Sequence, residues 1–221
     1  MTRSCTLVIG NKNYSSWSLR PWMLLDGFEL TYAEQLVSLK AEGLNERLGE
    51  FSKTARVPVL IDDKLTIWDS LAICEYANEQ YLDGQGWPKD VSDRAIARAI
   101  VAEMHAGFAA LRSDLPMNVR ASRRVELSKA VEKDIQRVDN IFALHAREDN
   151  NGELRLFGQF GIADCFFAPV VLRFKTYQTP LSSKARAYCE SLRSHPSLKK
   201  WIEAALKEDE IIDEDEAGID R

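Results

Sequence analysis

Strand signals stop near Asp83, and this switch constrains the fold more than any single residue. Upstream, strand-like and helix-like runs alternate. Residues 6–9 are a short apolar run closed by Gly10, the pattern of a buried strand. Residues 17–28 have apolar side chains at 17, 19, 22, 24, 25 and 28, which predicts a helix. Pro21 fits the first turn of that helix but not its middle. Residues 32–39 read as a second strand and 44–51 as a short helix. Residues 57–61 and 65–67, separated by Asp62-Asp63-Lys64, read as a β-hairpin, after which Asp69 opens a helical run over 71–81. The order β-α-β-α-β-β-α places helices against a small mixed sheet. Downstream, Gly84, Gly86 and Pro88 mark a linker, and helical patterns follow over 92–112, 122–145, 161–176, 182–193 and 196–207, with Ser92 capping the first. The chain therefore divides into an α/β N-terminal domain (1–82), a linker (83–90), an all-α C-terminal domain (91–210) and an acidic tail (211–221). Residues 208–220 hold eight acidic side chains, which read as a solvated tail.

A chain of 221 residues, 45% hydrophobic, can bury one large core or two modest ones. A net charge of −5 argues against non-specific attraction to nucleic acid. The opening apolar run is too short for a signal-peptide core, and no stretch reaches membrane-spanning length. The expectation is a soluble, cytoplasmic protein without membrane or nucleic-acid partners. Cys5, Cys74, Cys165 and Cys189 form no C-x-x-C pair, and His105, His145 and His195 lie far apart, so no metal site is expected. The cysteines read as reduced, buried small hydrophobes.

Three separated pieces carry the chemistry. The first, residues 13–21 (NYSSWSLRP), lies between the first strand and the first helix. Backbone N–H groups and the helix dipole at such a junction favour an anion, and a hydroxyl there can donate to a thiolate. A free thiol has a pKa of about 8.5. Lowering it by two units requires about 2.7 kcal/mol of preferential anion stabilisation. One charge-assisted hydrogen bond plus a helix N-terminus can supply that. The plain alternative is a hydroxyl-rich N-cap. The second piece is Val57-Pro58, before a strand. If that bond is cis, the Val57 backbone turns outward to pair with a peptide-like ligand; otherwise it is an ordinary strand start. The third is Asp69-Ser70. Asp69 can be an N-cap only, or the pair can hold a free amino-acid end, with Asp69 on the ammonium and Ser70 on the carboxylate.

Taken together, these pieces resemble the cytosolic glutathione transferase superfamily, and the Ser-Ser-x-Ser-x-Arg run is similar to its serine classes, zeta especially. The resemblance implies a thioredoxin-like N-terminal domain plus an all-helical C-terminal domain, with glutathione as co-substrate. It assigns the thiolate to Ser15, with Ser16 one residue of register away. It makes Val57 the backbone partner of the cysteinyl unit beside a cis Pro58, and gives Asp69 and Ser70 the γ-glutamyl end. Gly161-Ile162-Ala163-Asp164 is similar to the family's helix-capping Ser/Thr-x-x-Asp. Gly161 replaces the hydroxyl, one cap bond is lost, and Asp164 reads as structural. Trp17 stands where zeta has Cys, so the second substrate meets an indole. Arg173-Phe174 is similar to a zeta Arg-Phe pair facing the substrate, at a spacing three residues shorter.

Met104, Phe108 and Leu111 share a helical face. They read as core, or Met104 and Phe108 join Arg112 beside an apolar co-substrate pocket between the domains. Arg56 is a candidate for a glutathione carboxylate and Lys40 for the glycyl end. The expected function is attack of a serine-stabilised glutathione thiolate on a small hydrophobic electrophile. The alternatives are a non-catalytic ligand-binding or regulatory module, or a maleylacetoacetate isomerase-like enzyme. The resemblance also implies a homodimer.

Overall fold

The computed structural model describes residues 5–220. Residues 1–4 and 221, at the outer ends of the assigned domain and tail, lie outside the described residues. The first domain runs β1 (Cys5–Gly10), α1 (Ser16–Gly27), β2 (Tyr32–Val37), α2 (Leu44–Gly49), β3 (Val59–Asp62), β4 (Leu65–Trp68) and α3 (Ser70–Gln80). Its sheet order is β2-β1-β3-β4, with β1 parallel to β2 and antiparallel to β3. Alternation along β1 serves both faces: Cys5, Leu7 and Ile9 join the main core, and Val8 packs with Val37, Leu48 and Val59 on the other side.

The second domain runs α4 (Val91–Ala106), α5 (Ala109–Asp114), β5 (Arg123–Arg124), α6 (Lys129–His145), β6 (Ala146–Glu148), β7 (Leu154–Leu156), α7 (Ile162–Thr176), α8 (Ser183–Ser194), α9 (Pro196–Ala205) and β8 (Ile219–Asp220). It is helical apart from the short ribbons β6–β7 and β5–β8. The long helix expected over 92–112 is two. Phe108 takes a left-handed conformation (φ 55°) after Gly107, and α5 starts afresh. Asp90, not Ser92, caps α4. The helix expected from 122 begins at Lys129, capped by Ser128, because Arg123–Arg124 is occupied as a strand. Pro21 lies inside α1, not in its first turn.

The acidic tail corrects the sequence reading most. It lies as a strap across the loop leading into α1. Glu208 accepts from the backbone N–H of Lys12 (2.7 Å) and Asn13 (2.9 Å). Glu210 accepts from Asn11 and from Ser38 Oγ (2.6 Å). Glu216 accepts from Tyr14 Oη (2.7 Å), Asn118 Nδ2 (2.8 Å) and Arg123. Burial acts to raise the Glu210 and Glu216 carboxyls, but these donors outweigh it and hold both below the usual range. Among the described residues, no helix is long and apolar enough to cross a membrane.

Candidate active site

A cleft of about 1170 Å³ opens between the domains, and the three sequence pieces meet on its wall. Ser15 and Ser16 line it at the head of α1. Ser15 is the N-cap: its Oγ accepts from the Ser18 N–H (3.4 Å) and donates to Ser18 Oγ (2.7 Å). Ser16 Oγ accepts from Arg173 Nη2 (3.2 Å). No protein acceptor takes its proton among the described residues. The two hydroxyls are thus different. Ser15 is tied into the helix start, and Ser16 is polarised by a guanidinium with its proton free.

The Val57–Pro58 peptide bond is cis, and both residues line the cleft, with Arg56 beside them. The β1–β3 register begins only at Val59. Asp69 and Ser70 also line it. Asp69 Oδ1 caps α3 by accepting from Leu71 N (2.9 Å) and Ala72 N (3.2 Å), while Oδ2 stands 3.1 Å from His105 Nε2 on α4. Its backbone has φ 78° and ψ 128°, a conformation that costs a non-glycine residue on the order of 1–3 kcal/mol. The cap and the cross-domain histidine hold it there. Ser70 is buried, and its Oγ accepts from Arg20 Nη1 (3.4 Å).

Around this floor three guanidinium groups gather. Arg20 is 2% exposed, with its guanidinium carbon 4.1 Å from the Trp17 ring centre and 4.8 Å from that of Phe166. Arg112 covers the same indole at 4.6 Å. Trp17 therefore lies between two cations and lines the cleft as a stacking platform. Burial, then repulsion from Arg173 and Arg112, pulls Arg20 down to about 9. Burial, then Arg112, pulls Arg173 down to about 10. Both remain cationic at neutral pH. Arg173 is fixed by donating to the Leu115 carbonyl through Nε (2.8 Å).

Other expectations fall outside the cleft. Met104 and Phe108 are buried in the core, as their periodicity also allowed, and line no part of it. Lys40 is absent from its wall and stands 3.8 Å from Glu210. Sequence reasoning missed Tyr14, Trp68 and Asp215, which line the cleft, and the His105–Asp69 and Arg20–Ser70 contacts. Tyr14 and Arg20, both inside residues 13–21, carried a local signal, and the others did not. All four cysteines are free and buried, and desolvation raises their thiols, so none supplies a thiolate.

A cis Val-Pro wall, a capped Asp-Ser turn and hydroxyls at a helix head share one cleft, on a thioredoxin-like domain backed by a helical one. The glutathione S-transferase N-terminal domain matches residues 14–80 and the C-terminal domain residues 93–204. The chain belongs to the glutathione S-transferase family. It is 27% identical to a probable maleylacetoacetate isomerase of Caenorhabditis elegans, over 76% of this chain and 77% of that protein. It is 25% identical to glutathione S-transferase Z1 of Arabidopsis thaliana, over 86% and 90%. A glutathione transferase homologue from Burkholderia, solved with bound glutathione, is 25% identical and superposes with a TM-score of 0.67 over 92% of this chain and 98% of that one.

Proposed function

We propose that the chain binds glutathione in this cleft, ionises its thiol at the head of α1 and directs the thiolate at a small hydrophobic electrophile. One observation supports this best: Ser15-Ser16, Arg56-Val57-Pro58 and Asp69-Ser70, distant in sequence, line one cleft with a guanidinium against Ser16. The γ-glutamyl ammonium pairs with Asp69, and its carboxylate accepts from Ser70 and the first turn of α3. The Val57 backbone pairs with the cysteinyl unit, and Arg56 faces the second carboxylate. Ser16, with Arg173 behind it, donates to the sulfur, and Ser15 holds the helix start that aims it. With an aryl chloride, the sulfur forms a bond to the ring carbon, the carbon–chlorine bond breaks, and chloride leaves with its electron pair.

The test is a pH profile of kcat/KM with a chlorodinitrobenzene. Ser16→Ala should lower the neutral-pH rate by about 10–100-fold and move the apparent thiol pKa upward by roughly one to two units. Ser15→Ala should act mainly on stability, at about 1 kcal/mol for a lost cap. Wild-type rates in both variants, or no calorimetric binding of glutathione at millimolar concentration, would sink the reading. Arg112 and Arg173 favour a second reading, a glutathione-dependent isomerase whose substrate carries a carboxylate, as the name of the Caenorhabditis relative suggests. Direct assay of maleylacetoacetate isomerisation decides it.

A further inference from the structure

Asp215 differs from the other strap carboxylates whose contacts are described above. Glu208, Glu210 and Glu216 are each held by a donor on the loop below: the Lys12 N–H, Asn11 and Tyr14. Asp215 lines the cleft and makes no side-chain hydrogen bond or ion pair among the described residues. It lies half-buried, within electrostatic reach of Arg173 but beyond ion-pair distance. A carboxylate left without a partner, on the wall that also carries Arg112 and Arg173, acts on whatever ligand enters between them. An anionic co-substrate drawn to the guanidiniums is opposed by Asp215, and an uncharged one is not.

We propose that Asp215, carried to the cleft by the C-terminal strap, is a specificity-determining residue that selects against co-substrates bearing a carboxylate. This builds on the conjugation reading, and it adds a pH dependence. Burial raises the Asp215 carboxyl to about 6, against the pull of Arg173 and with Glu214 and Glu216 adding to the rise. Tyr177, just past the end of α7, senses its charge, and Arg112 on α5 and Tyr14 on the loop line the same cleft. Below that pH the carboxyl is neutral and the opposition lifts.

The experiment compares a chlorodinitrobenzoate with the matching chlorodinitrobenzamide, which differ in charge and share the reacting carbon. In Asp215→Asn the ratio of kcat/KM, benzoate over benzamide, should rise by about three- to tenfold at pH 7.5. Glu214→Gln removes the same charge from an exposed position on the same strap and should leave the ratio within twofold of wild type. The wild-type ratio should climb as pH falls through about 6, and the Asp215→Asn ratio should not. An unchanged ratio in Asp215→Asn, or an equal rise in Glu214→Gln, overturns the proposal. If wild type turns over neither compound, the conjugation reading fails. Charge selection is then judged by calorimetry with dinitrobenzoate and dinitrobenzamide, where Asp215→Asn must tighten the benzoate alone.

Discussion

At the scale of one residue, Gly161 shows why a resemblance is not a specification. The family pattern has a hydroxyl there, capping α7. Here the backbone is extended, and an added Cβ would lie 2.6 Å from the Gly86 carbonyl oxygen. The Ile162 N–H donates to that same carbonyl at 2.9 Å. The linker thus presses directly on the helix start, leaving room for hydrogen only. Half the capping motif survives, because Asp164 Oδ2 accepts from the Gly161 N–H (3.2 Å) while Oδ1 accepts from Leu156 N–H (3.0 Å) and Tyr188 Oη (2.9 Å). Restoring the serine gains a few tenths of a kcal/mol as a cap, and forcing a side chain into packed backbone costs about 1–3 kcal/mol. Gly161→Ser should therefore lower the denaturant midpoint. A raised midpoint would mean that the linker yields.

At the scale of an element, the strap ties the end of the chain to the loop that sets the head of α1. Glu208→Ala should expose the Lys12 and Asn13 amides, whose exchange with solvent should quicken first. The loss is about 1–3 kcal/mol of local stability, the usual cost of unpairing donors from a charged acceptor. Acid should act in the same direction. Glu210 and Glu216 sit below their ordinary range. Their contribution is complete above the unfolded value of about 4.3 and fades as pH falls through the lower folded values. Amide exchange read by mass spectrometry checks both, and unchanged exchange over residues 11–14 in the variant would show that the strap is idle. Such a contact was not legible in the sequence. An acidic run signals solvation locally, and nothing near it reveals donors two hundred residues upstream. The hairpin, the Asp69 cap and most helix bodies were legible because apolar period, glycine and proline act over a few residues. The α4–α5 break was hidden because Met104, Phe108 and Leu111 keep helical spacing across it.

At the scale of the molecule, the two domains share one core. A single apolar cluster runs from Cys5 and Leu7 on β1, through α1 and α7, to Trp201 on α9. Trp201 is fully buried, meets Trp22 of α1 edge-on at 5.1 Å, and donates through Nε1 to the Lys12 carbonyl (2.8 Å). It therefore links the last helix to both the first helix and the loop that leads into it. The cleft depends on this continuity, since Ser16 and Arg173 come from different domains. Cores that interpenetrate in this way should unfold together, so calorimetry should show one transition with matching calorimetric and van't Hoff enthalpies. Trp201→Ala should cost about 3–5 kcal/mol and shift that single transition as a whole. Trp201→Phe keeps most of the packing and should lose about 1 kcal/mol with the indole hydrogen bond. If Trp201→Ala instead splits the transition, leaving the N-terminal domain's melting unmoved, the domains are independent and the cleft is a mobile hinge.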